Sequence, residues 1–146
     1  MKKRVFFGIV AIIAAFSIIG CKEEEEENNP FVLTVTGIPA GQNITAASLM
    51  TVTNQVPANT PTAVAMNSGG TFEFYHPVSA QNPMPDKENP FNISGSYAIA
   101  LAQNVDFQTF QPEKVYMYNV NNNVAYPFDG DVTLKWSDFK EQQQQP

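Results

Sequence analysis

Short runs of period-two alternation, each closed by glycine, proline or asparagine, limit what this chain can fold into. Phe31, Leu33 and Val35 alternate with Val32, Thr34 and Thr36 before Gly37-Ile38-Pro39 ends the run. Phe72 and Phe74 alternate with Glu73 and Tyr75. Tyr97, Ile99 and Leu101 oppose Ala98, Ala100 and Ala102, and Val115 and Met117 oppose Tyr116 and Tyr118. Val132, Leu134 and Trp136 oppose Thr133 and Lys135. Side chains two apart share one face of a strand, so such runs predict half-buried β-strands rather than helices.

Weaker patterns predict further strands over Ser48–Thr53 and Thr62–Met66. Gln42–Leu49 carries a competing signal, because Ile44, Ala47 and Ser48 sit at helical spacing. No helical stripe persists beyond two turns. About seven to nine short strands with proline-rich connections predict an all-β fold, a two-sheet β-sandwich of immunoglobulin-like size, with a small barrel as the alternative. Asn82–Pro90 holds three prolines and is expected to be an exposed loop joining the two halves. Asp129-Gly130 is expected to turn a hairpin between Val124–Phe128 and Asp131–Trp136.

The N-terminus has a different composition. Met1-Lys2-Lys3-Arg4 precedes an apolar run from Val5 to Gly20, the charged and apolar regions of a secretory signal. Sixteen residues fall short of the roughly 20 that span the hydrocarbon core as a helix, so a retained membrane anchor is the weaker reading. Ile18-Ile19-Gly20-Cys21 closes that run, and Cys21 is the one cysteine of the chain. These residues resemble a bacterial lipobox. The resemblance implies cleavage before Cys21 and a thioether from its sulfur to diacylglycerol, giving a palmitate-bearing lipoprotein. It also implies a mature chain without cysteine, which hydrophobic burial alone must hold together.

Lys22 and the five glutamates Glu23–Glu27 repel one another and stay solvated. They read as a tether, and nine residues to Pro30 reach roughly 30 Å when extended. Cys21-Lys22-Glu23-Glu24 is also similar to the export signal of surface lipoproteins in the Bacteroidetes. The organisation expected is a signal peptide over 1–20, a lipidated cysteine and tether over 21–30, one β domain over 31–140 and a frayed glutamine-rich tail over 141–146.

Loss of Lys2, Lys3 and Arg4 leaves five lysines against fourteen carboxylates and a net charge of −9. Such a surface repels phosphate backbones, and nucleic-acid binding is not expected.

Catalytic patterns are scarce. His76 is the one histidine, so an imidazole-built metal site is not expected, and with Cys21 acylated no thiolate remains. No Gly-x-Ser-x-Gly elbow and no phosphate-cradling glycine loop occurs. Asp129 and Asp131 flank Gly130, but the further acidic positions of a calcium loop do not follow. No cofactor and no enzymatic activity are expected.

The aromatic side chains offer the one candidate surface. Tyr75, Tyr116 and Tyr118 lie opposite the more apolar positions of their runs and are expected to form a ligand-binding platform. Leu33-Thr34-Val35-Thr36-Gly37-Ile38-Pro39, Gly95-Ser96-Tyr97 and Trp136 are similar to segments of small β-rich lipoproteins of spirochaetes, a resemblance that implies an envelope protein without a known active site. The expected role is a lipid-anchored, surface-displayed module of the outer membrane that binds a protein or a glycan. A periplasm-facing accessory subunit is the alternative, and an envelope hydrolase using two carboxylates is the third.

Overall fold

The computed structural model describes residues 29–143. Cys21, the signal run and the glutamate tether lie outside the described residues.

The all-β expectation holds. The strands are β1 (Phe31–Thr36), β2 (Ile44–Met50), β3 (Val52–Thr53), β4 (Val56–Pro57), β5 (Ala63–Ser68), β6 (Thr71–Pro77), β7 (Pro85–Pro90), β8 (Gly95–Gln103), β9 (Lys114–Tyr118), β10 (Tyr126–Phe128), β11 (Val132–Lys135) and β12 (Phe139–Gln142). Ten of them join in one mixed sheet ordered β11-β1-β6-β5-β2-β8-β9-β12, with β10 added to β8 and β7 to β6. β3 and β4 form a separate two-stranded ribbon.

The main sheet is one continuous path whose two ends, β11 and β12, are joined through the 3₁₀ turn Trp136–Asp138. Four residue steps cover at most about 14 Å, so the outer strands must approach one another and the sheet must curl. Curling produces two facing layers around one interior. Leu33, Leu49, Phe72, Phe74, Ile99 and Leu101 fill it and are fully buried.

One end of the interior is closed by aromatic rings. Phe31 stacks on Phe74 at 5.6 Å and meets Phe128 edge-on at 4.8 Å, while Phe91 meets Tyr97 edge-on at 5.6 Å. Such offset and edge geometries are the ones aromatic quadrupoles favour.

Several local expectations are corrected. Gln42–Leu49 contains no helix. A register shift between Ile44 and Ala46 turns both Ile44 and Ala47 inward, and this bulge imitates helical spacing. Pro85–Pro90 is not loop but edge strand β7 on β6, its prolines confined to the ends, where a missing donor breaks no interior ladder. Asp129-Gly130 does not turn a hairpin: β10 pairs with β8, whereas β11 runs parallel to β1. Asp131 instead accepts the Val32 N–H at 3.0 Å, pinning β1. Glu141 and Gln142 belong to β12, paired with Tyr116 and Val115, rather than to a frayed tail.

Candidate functional site

The outer face of the central strands carries an apolar concavity. Successive ladders set Met66, Ala46, Ala102 and Val115 side by side across β5, β2, β8 and β9. The next outward row is Val64, Ser48, Ala100 and Met117. Small side chains therefore occupy the two middle strands and larger ones the flanking two. β5 and β9 stand about 14 Å apart at roughly 4.8 Å per strand, so the small residues leave a trough between them.

Two segments wall this trough. On one side stand Pro83, Met84 and Pro85, and on another Val105, Phe107, Phe110 and Pro112; together with the floor they enclose a hollow of about 230 Å³. Along β2 and β8 the hollow continues into a second of about 400 Å³, sharing Ser48, Pro61, Ala100 and Val115 and reaching Met50, Met117, Pro57 and Ala58. No charged side chain lines either hollow. Neither offers the carboxylate pair that glycoside hydrolysis requires.

The walls are held by their own hydrogen bonds. Asn104 Nδ2 donates to Glu113 Oε1 at 2.5 Å, closing the 104–113 loop at its base, and Asn43 Nδ2 donates to Asn104 Oδ1 at 2.5 Å. Inside the loop Asp106 accepts from Gln108 N at 2.9 Å and from Phe110 N at 2.6 Å. Phe110 sits at φ 59°, a left-handed conformation that a bulky residue adopts only at a cost. Across the trough, Val78 N donates to Met84 O at 2.9 Å, and Ser79 and Asn82 bond each other's backbone.

Among the described residues the large exposed hydrophobics are Val56, Val78 and Phe107, at 64%, 53% and 42% exposure. Val56 adjoins Pro57 in the ribbon, Val78 is bonded to Met84, and Phe107 lines the hollow itself. Of the three, Phe107 alone lines the hollow, so it is the exposed apolar side chain that belongs to a concavity rather than standing singly on the surface.

Tyr75, Tyr116 and Tyr118 do not form a platform. Tyr116 and Tyr118 point into the interior, 6% and 9% exposed, and belong to the main core with Phe139 and Trp136 packed on them. Their neighbours Val115 and Met117 are the residues that face outward, into the trough. This reverses the sequence-based orientation of β9, and the reason is that both faces of the strand are covered by apolar residues. Tyr75 lies on the outer face of β6, beneath Lys87 at 4.8 Å, with its hydroxyl donating to Glu73 Oε1 at 3.2 Å. His76 is half-buried at the end of β6, edge-on to Phe91 at 5.3 Å.

The buried phenols have a measurable consequence. Burial, followed by the Asp138 carboxylate and Tyr126, pushes Tyr118 above its ordinary value of 10.0; burial and the Glu73 carboxylate do the same for Tyr75. A phenol whose folded value exceeds its unfolded one holds its proton more tightly in the fold. Its contribution to stability is complete below pH 10 and is lost as pH rises through the folded value. Spectrophotometric titration should show phenolates appearing later than in the urea-unfolded chain, and Tyr118→Phe should reduce the loss of stability above pH 10. Equal titration of folded and unfolded chains would contradict the burial of these hydroxyls.

Among the described residues no helix is long and apolar enough to cross a membrane, and no three His, Cys, Asp or Glu side chains gather as metal ligands. Comparison with protein-family models, with curated proteins and with solved structures finds no match to this chain.

Proposed function

We propose that this chain is a lipid-anchored envelope protein, displayed at the cell surface through Cys21 and the glutamate tether, whose β domain is a binding module. The working face is the trough on β5, β2, β8 and β9, and the partner is a molecule or macromolecule that presents an apolar group to it. The observation that carries this reading is an uncharged, apolar hollow that keeps a large hydrophobic side chain, Phe107, 42% exposed on its wall. A glycan is a poorer fit, because its hydroxyls would find no charged side chain and few polar ones in the trough.

A photo-crosslinking side chain in place of Phe107, compared in intact cells with one in place of Asp129, tests the working face. Adducts are expected at position 107 and not at 129; absence at 107, or equal yield at both, would sink the reading. The anchor is tested separately. Cys21→Ala is expected to move the protein from the detergent phase to the aqueous phase and to abolish palmitate incorporation, and unchanged partition would remove the lipid anchor.

A further inference from the structure

We infer that the trough binds a hydrocarbon chain, the acyl chain of a neutral or zwitterionic monoacyl lipid, rather than a peptide. The inference rests on the trough being the working face. Three observations choose the occupant.

The first is the state of the floor. β2 is paired with β5 and β8, and β8 with β2 and β9, so the ladder hydrogen bonds of the floor strands are already made. A peptide backbone lying here would gain no strand-addition bonds and would leave its own amides unpaired, whereas a methylene chain has nothing to satisfy. The second is the lining. Ser48 is the one polar side chain of the 230 Å³ hollow, and its walls are Met, Phe, Pro, Val and Ala. Methionine packs adaptably against flexible apolar ligands. A cavity of roughly 150 Å³ suffices for benzene, so this hollow and its extension accept a longer chain. The third is shape. The floor runs along β2 and β8 from Ala46 to Met50, about 13 Å at roughly 3.3 Å per residue, bounded on both sides by larger side chains.

The head group follows from charge. Among the described residues nine carboxylates face four lysines, and no lysine lines either hollow. A free carboxylate head would meet repulsion and no partner, so a neutral or zwitterionic head is selected.

The test uses the full chain with Cys21→Ala, so that no acyl group of its own competes. The probe is a lysophosphatidylcholine carrying a fluorophore on its head group, followed by anisotropy below its micelle concentration. Saturable binding is expected, displaced by unlabelled lysophosphatidylcholine and untouched by glycerophosphocholine, which lacks the chain. Ala100→Phe fills the floor and Phe107→Ser removes an exposed wall; each should weaken binding by about tenfold or more with the unfolding midpoint of the Phe107→Ser variant unchanged. Binding that both variants retain would be adsorption elsewhere and would overturn the inference. Displacement about tenfold better by a free fatty acid than by lysophosphatidylcholine would overturn the choice of head group. Absence of probe binding with crosslinks persisting at position 107 would refute the acyl chain and leave the working face standing; absence of both would remove the two together.

Discussion

Phe72→Ala should cost about 3–5 kcal/mol, a large share of the roughly 5–15 kcal/mol by which whole domains are stable. The size follows from position. Phe72 is fully buried, sits opposite Leu33 on β1 and opposite Asn67 on β5, and so fills the interior where the two layers of the curled sheet meet. With no cysteine described in the domain, no crosslink limits the damage. Urea titration of the variant beside wild type measures the effect. A loss below about 1 kcal/mol would mean that the interior collapses around the gap, contrary to the packing between layers.

The second large effect is expected at a backbone position. Ser68 and Thr71 pair across Gly69-Gly70, whose φ values of 63° and 91° are both positive, as a two-residue hairpin turn demands. The two glycines differ in surroundings. A Cβ on Gly69 would meet open space, but on Gly70 it would stand 3.0 Å from the Val35 carbonyl oxygen, and Val35 N donates to Gly70 O at 2.8 Å. Gly69→Ala should therefore cost about 1 kcal/mol from conformation alone, while Gly70→Ala adds a steric push on β1 and should cost about 2 kcal/mol or more. Equal losses in the two variants, measured by thermal unfolding, would show that the β1 contact yields without cost.

The strands with one dominant apolar face were legible. In Phe31–Thr36 and Thr71–Tyr75 the large residues fall on one parity, and those residues line the interior. β9 was misread because Val115 and Met117 are as apolar as Tyr116 and Tyr118, and parity cannot say which set faces in when both faces are covered. The trough escaped for a related reason. Ala98, Ala100 and Ala102 read as the weak side of a strand, yet their smallness is what makes room above them. Its walls are contributed by segments distant in sequence, so no local pattern joins Met84 to Phe107. β12 has a single apolar residue, Phe139, and owes its form to pairing with β9. The Ser68-Gly69-Gly70-Thr71 turn was the one missed feature with a local signal, since two glycines between strand-like runs mark a tight hairpin.

The parallel pairing of β1 with β11 bears on how the chain reaches this state. β1 is the first of the described strands to be made, yet its two neighbours arrive about forty and about one hundred residues later. Until then its amide edge stays open, and contacts this distant in sequence make for folding in milliseconds to seconds rather than microseconds. Under the export proposed above, the chain would carry an unpaired, sticky edge through most of its passage, and a holding chaperone on the far side would be worth more to it than to a fold closed by local hairpins.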